Sequence, residues 1–250
     1  MGRGVHSIIP AAAVLVVLSV PDPAHAWSSF HVDLYTMDVS LDASGGVTGT
    51  IFLDVEVQGG SFRGFKIARG DEHLAWSPTS MYCENASGKR YELERVPRED
   101  GLTDFRFAQP GYIPRGPATC ALSYSLDALG TGALQILQPI ETDDGMESER
   151  IRLQLRTPGL PVAVEQLVIT VHLPRPVPEA DRRLGDLAAE EYGVQHFPSA
   201  ITLTRYRPPS YYTGLVEILL PSSAIDLPGT IGGSARGRGL LRLEPFLGVQ

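Results

Sequence analysis

Apolar and polar residues alternate with a period of two in run after run of this chain, and turn residues separate the runs. Successive side chains of an extended strand point to opposite faces, so this pattern marks strands with one face buried and the other wet. Over Val47–Val57, one parity holds Val47, Ile51, Leu53, Val55 and Val57. The other holds Thr48, Thr50, Asp54 and Glu56, with Phe52 as the exception. Cys120, Leu122, Tyr124 and Leu126 alternate in the same way with Ala121, Ser123 and Ser125. Ile151, Leu153 and Leu155 alternate with Arg152, Gln154 and Arg156, and Leu167, Ile169, Val171 and Leu173 with Thr170 and His172. Ile201 and Leu203 alternate with Thr202 and Thr204, and Val216, Ile218 and Leu220 face away from Glu217.

The segment Phe30–Leu41 also alternates but changes phase, Val32 and Leu34 sharing one parity and Met37, Val39 and Leu41 the other. A bulge or bend near Tyr35-Thr36 reconciles the two halves. Asp42-Ala43-Ser44-Gly45-Gly46 then forms a turn, which makes the first two strands a hairpin. One segment has helical spacing: Leu184, Leu187, Ala188 and Tyr192 within 179–192, after Pro178 and before Gly193, with Gly185 as a weak point. Short strands and frequent turn residues (26 Gly, 20 Pro) argue against a parallel α/β sheet, which needs a helix between strands. The expected fold is mainly β: one or two antiparallel β-sandwich domains with one short helix near 179–192.

The amino terminus reads as a secretory signal peptide. Arg3 precedes an apolar run from Ile8 to Val20, and Ala24-His25-Ala26 offers small residues to a signal peptidase. The run is too short for a spanning helix, which needs about 20 apolar residues. Cleavage after Ala26 is expected, leaving a mature chain from Trp27 without a transmembrane segment, in the periplasm or secreted. The expected organisation is a signal peptide over 1–26 and a β-sandwich domain over 27–140. Residues 141–225 would form a second sandwich or continue the first, and 226–250 a flexible Gly-rich tail. Net charge is −8, which disfavours nucleic acid as a partner. The basic residues are almost all Arg, with Lys66 and Lys89 the exceptions, a skew that points to a GC-rich bacterial genome.

Cys83 and Cys120 are the two cysteines. In an exported chain a lone pair most often forms a disulfide. A reactive thiol or half a metal site are the alternatives, but neither cysteine has a CxxC partner or a flanking His or basic cluster.

Catalytic signatures are absent: there is no G-x-S-x-G, P-loop, H-E-x-x-H or G-x-G-x-x-G. His73 follows Asp71-Glu72, a trio that suits a solvated loop better than a metal site, because neighbouring strand residues diverge. The acidic stretch Glu141–Glu149 has oxygen donors enough for Ca²⁺ but lacks EF-hand spacing, so a linker loop competes with a calcium site. No cofactor is expected. The most distinctive surface feature is Arg205-Tyr206-Arg207-Pro208-Pro209-Ser210-Tyr211-Tyr212. Tyr and Arg are favoured at binding hot spots, which makes Tyr206, Arg207, Tyr211 and Tyr212 partner-binding candidates. The competing reading is a hairpin loop whose tyrosines cover the edge of the core. Gly60–Phe65 is a second exposed-aromatic candidate.

Asp42–Phe65 (DASGGVTGTIFLDVEVQGGSFRGF) resembles the start of the predicted membrane proteins grouped as DUF2207, a likeness that extends over residues 30–125. The matching pieces are the Gly45-Gly46 turn, the Val47–Val57 strand and Gly60-Ser61-Phe62-Arg63-Gly64; strands ending in Leu-Pro, such as Leu173-Pro174, are also similar. This chain departs from that family at Thr48-Gly49-Thr50, where an acidic residue is usual, and in lacking later transmembrane helices. The resemblance implies an envelope-associated β-domain and no particular activity.

The function expected first is an exported, non-catalytic β-sandwich protein that binds a cell-envelope or extracellular partner, protein or glycan, through the Tyr-rich loop or the tail. The second is a carbohydrate-binding module, which requires Trp76, Tyr206, Tyr211 and Tyr212 on one exposed platform. The third is a hydrolase with an unrecognised acidic site, which requires paired carboxylates in a pocket.

Overall fold

A computed structural model describes residues 29–68, 74–98, 102–137, 139, 141–142, 145–146, 149–185 and 190–226. The expected signal peptide, His73 with Asp71-Glu72, and nearly all of the expected tail lie outside the described residues, as do the side chains of 141–148.

The chain is mainly β. Its strands are β1 (Ser29–Leu41), β2 (Val47–Gly59), β3 (Gly64–Ala68), β4 (Ala75–Asn85), β5 (Arg90–Pro97), β6 (Leu102–Phe107), β7 (Gly116–Leu126) and β8 (Leu134–Leu137). There follow β9 (Glu141–Thr142), β10 (Gly145–Met146), β11 (Arg150–Arg156), β12 (Val164–His172), β13 (Arg183–Leu184), β14 (Gly193–Phe197), β15 (Ala200–Tyr206) and β16 (Leu215–Pro221). Ten of them form one sheet in the order β14-β15-β12-β1-β2-β7-β4-β5-β6-β3, and β13-β16-β11-β8 form a second sheet of four. The acidic stretch contributes a small β9–β10 hairpin.

Each alternating run found in the sequence is a strand, and its apolar parity is the buried one. Val47, Ile51, Leu53, Val55 and Val57 are buried on β2, and Phe52 points outward at 38 % exposure. Leu167, Ile169 and Val171 of the large sheet and Leu153, Leu155, Val216 and Ile218 of the small sheet belong to one contiguous core. The large sheet therefore packs its inner face on the small one, and it draws strands from both sides of residue 140.

Three details differ from the sequence expectation. The sheet is mixed: β1 runs antiparallel to β2 but parallel to β12, with Met37 opposite Ile51 on one side and Ile169 on the other. The irregularity in β1 lies between Val32 and Leu34, not at Tyr35-Thr36. Tyr35 is itself a core residue whose hydroxyl donates to Pro158 O at 2.9 Å, so the phase must change before it. Within the span 179–192 where a short helix is expected, Glu179–Asp181 form a 3-10 turn, β13 follows and pairs with β16, and Glu190-Glu191 are helical; residues 186–189 lie outside the described residues. An extended Arg183–Leu184 gains ladder hydrogen bonds that a helix weakened by Gly185 does not offset.

Cys83 and Cys120 face each other in the β4–β7 register and are joined by a disulfide. Both are fully buried, so the thiol and metal alternatives fall away. Gly60–Phe65 is not an exposed aromatic surface: Phe62 and Phe65 are buried. Phe62 packs edge-on against Phe30 at 5.2 Å, and Phe65 stacks on Phe105 at 5.6 Å.

Candidate partner-binding site

The large sheet ends at β14, whose five residues read exposed, intermediate, exposed, intermediate, exposed. It pairs with β15 from Gly193↔Thr204 to Phe197↔Ala200, which places its Gly193 end beside Tyr206 at the end of β15. The chain then turns through 207–214 into β16. An open groove of ≈ 830 Å³ follows this corner, lined among others by Glu190, Glu191, Gly193, Gln195, Arg205 and Tyr206.

The turn is anchored from below. Arg207 N donates to Glu165 O at 2.8 Å, Tyr211 N to Leu160 O at 2.6 Å and Tyr212 N to Pro209 O at 3.1 Å. Thr157, fully buried, accepts from Gly214 N at 2.7 Å through its hydroxyl oxygen. A Cβ at Gly214 would lie 2.3 Å from Tyr192 Oη and 2.6 Å from Tyr212 Cε1, so only glycine allows this approach.

The four candidate side chains divide into two kinds. Tyr212 turns inward. Its hydroxyl donates to Glu191 Oε2 at 2.5 Å and accepts from Arg205 Nη1 at 2.8 Å. That leaves Tyr192 to donate to Tyr212 Oη across 3.0 Å. Arg205 also pairs with Glu191 and lies over the Tyr212 ring at 4.2 Å. Burial, and then the bond given to Glu191, push the Tyr212 hydroxyl well above the ordinary tyrosine range; burial raises Tyr192 too. This is an internal brace.

Tyr206, Arg207 and Tyr211 turn outward. Tyr206 is 72 % exposed and Tyr211 56 % exposed. Arg207 reaches Glu165 at 3.0 Å, and Glu165 also approaches His31 at 3.6 Å. Arg207 and Tyr211 hold φ of 48° and 62°, the left-handed region that side chains other than Gly seldom occupy. Backbone strain of this kind persists only where the surroundings over-determine it, and it clusters at functional sites.

Trp76 does not join this surface. It stands edge-on to Phe105 at 5.1 Å and Tyr124 at 5.7 Å on β4, five strands from β15, which is roughly 24 Å at the usual strand spacing. The platform of Trp76, Tyr206, Tyr211 and Tyr212 is therefore not assembled. Glu191 and Glu165 are bound to Arg and Tyr partners, and among the described residues no three His, Cys, Asp or Glu gather to hold a metal. Sequence reasoning missed Glu165, Glu191, Tyr192 and Gly214. Glu191 and Tyr192 meet Tyr212 only through the fold, 21 and 20 residues away.

No family model matches the chain, and no curated protein matches it. Among solved structures it is similar to native yeast LTA4 hydrolase at 12 % identity, with a TM-score of 0.47 over 78 % of this chain and 30 % of that one. The same yeast enzyme in complex with bestatin gives 12 % and 0.47 over 84 % and 31 %. Native leukotriene A4 hydrolase from Saccharomyces cerevisiae gives 12 % and 0.48 over 81 % and 31 %. The chain thus spans under a third of the length of these structures, and a likeness at this level says nothing of activity or site. Among the described residues, no helix is long and apolar enough to cross a membrane.

Proposed function

We propose that the protein is exported, loses residues 1–26, and acts in the periplasm or outside the cell as a non-catalytic β-sandwich protein that binds an envelope or extracellular protein partner. The Cys83–Cys120 disulfide supports an oxidising compartment. The resemblance of residues 30–125 to exported parts of DUF2207-type proteins agrees with the envelope.

One observation carries the binding reading: two exposed tyrosines and an arginine project from a strained turn that the core braces, at the open end of an edge strand. Rigid aromatic and guanidinium groups lose little entropy on binding and dominate hot spots. Among the described residues the outer edge of β14 is unpaired, and it offers main-chain groups to an extended segment of the partner, with Tyr206 beside it.

The test is site-specific photo-crosslinking from position 211 in the presence of isolated envelope. The proposal expects one discrete adduct that Tyr206→Ala and Arg207→Ala each abolish, and none from a control crosslinker at position 52 on the outer sheet face. A smear, or an adduct indifferent to both substitutions, would reject it.

A further inference from the structure

Natural sheets blunt an open edge with charge, proline or a bulge, and β14 has none of these. It reads Gly193-Val194-Gln195-His196-Phe197, without Lys, Arg, Asp, Glu or Pro. It pairs with β15 in unbroken register from Gly193↔Thr204 to Phe197↔Ala200, so no bulge turns it away. Among the described residues, no strand lies on its other side. The opposite edge of the same sheet, β3, carries Lys66, which is exposed.

The strand is also complementary to itself. Gly193, Gln195 and Phe197 share one face, beside Thr204, Thr202 and Ala200 of β15. Phe197, next to the small Ala200, is 48 % exposed. Gly193, at the other end of this face, is exposed and has no side chain. A two-fold axis through Gln195 sets Phe197 of one copy opposite Gly193 of the next. Each bare ring then lies over a glycine, a cross-strand pairing that makes up for the missing side chain. Val194 and His196, both half-buried, come opposite each other on the other face. His196 Nδ1 is out of solvent and has no hydrogen-bond partner, so a docked strand strips no water from that atom.

We infer that β14 pairs antiparallel with β14 of a second copy of this chain, centred on Gln195, and joins two ten-stranded sheets into one. A two-fold contact needs a self-complementary patch, and the spacing of Gly193 and Phe197 supplies it. Five residues a side fall short of the about 20–30 of a standard interface, so the dimer is weak and forms as concentration rises. This goes beyond the partner reading. A second copy and an extended segment of an envelope partner exclude each other on this edge, so self-pairing keeps the edge covered until a partner displaces it.

The test is sedimentation equilibrium of the full chain from about 1 μM to about 1 mM, joined to oxidative crosslinking. A monomer–dimer equilibrium is expected. Gln195→Lys and Gln195→Glu each set like charges opposite one another at the axis. Each should raise the dissociation constant by about 2–5-fold and leave the melting temperature of the dilute protein unchanged. An equal mixture of the two should dimerise at least as well as the parent, because Lys then faces Glu. Phe197→Ala should weaken the dimer by about 10-fold. Gln195→Cys should give an intermolecular disulfide under mild oxidation, since opposed strand residues lie within disulfide reach. Thr48→Cys, also exposed but on the interior strand β2, should not. A monomer throughout the range, a dimer indifferent to Gln195→Lys, or no disulfide from Gln195→Cys would overturn the assignment. The adduct from position 211 is identified by its mass as partner or second copy, so either reading can fail without the other.

Discussion

A guanidinium buried without a carboxylate beside it must find carbonyls, and Arg182 finds three. It is 6 % exposed and donates to Val177 O at 2.8 Å, Ala200 O at 3.0 Å and Pro198 O at 2.6 Å. Burial lowers its pKa, partly opposed by Glu179, yet an arginine stays charged. Arg182→Ala leaves those carbonyls unserved, and about 2–4 kcal/mol of stability should be lost, read as a lower denaturant midpoint with an unchanged slope. Nothing in the sequence marks this residue, because its partners are main-chain atoms from a neighbouring turn and strand. The Tyr-rich segment was legible as a surface feature, but not how its members divide. Tyr211 and Tyr212 are adjacent, and the left-handed backbone at Tyr211 sends one outward and lets the other join Glu191 and Arg205.

Elements were the most legible scale, since burial on one face writes itself into alternate positions. The β1–β2 hairpin follows from its turn. Asp42 accepts from Ser44 N at 2.8 Å, Ser44 Oγ at 2.7 Å and Gly46 N at 2.9 Å, and Gly45 supplies a φ of 88°. The Ser44 hydroxyl, followed by the Gly46 amide, lowers the Asp42 pKa. A carboxylate depressed in the folded state stabilises fully above its unfolded pKa, about 3.9, and loses that contribution as pH falls through the folded value. Asp42→Asn should therefore flatten the acid limb of the melting curve below about pH 4, compared with the parent protein in the same buffers. At β4–β7 the disulfide closes a span of 37 residues. Chain entropy gives it about 4 kcal/mol, so reduction should lower the melting temperature markedly, and Cys83→Ala/Cys120→Ala should match the reduced parent. The bulge in β1 was misplaced because the aromatic Tyr35 reads equally well as core or surface until its Pro158 partner is known.

At the scale of the whole molecule, strand order was not legible. Alternation says which face is buried but not which strand lies alongside, and β1 pairs in parallel with β12 across more than a hundred residues of chain. That closure lets residues from both halves share one core, in which Tyr35, Tyr124 and Tyr192 are buried, with Tyr212 packed against it. All four tyrosines have raised pKa values, with burial the largest cause in each. A tyrosine raised in the folded state contributes fully below its unfolded pKa, about 10, and that contribution is lost as pH climbs toward the folded value. Stability should fall steeply above about pH 10, with tyrosinate absorbance of these residues appearing only as the fold opens. On the proposed function, the turn after β15 is shaped for a partner and not for the stability of the fold. The measurement that tests it most directly sets stability against binding in Arg207→Gly/Tyr211→Gly, scored by denaturant unfolding and by binding to isolated envelope. Glycine relieves the left-handed backbone at both positions and removes two outward side chains. Stability should stay within about 1 kcal/mol of the parent while envelope binding is lost. A variant that unfolds more easily yet binds as well as the parent would contradict the account.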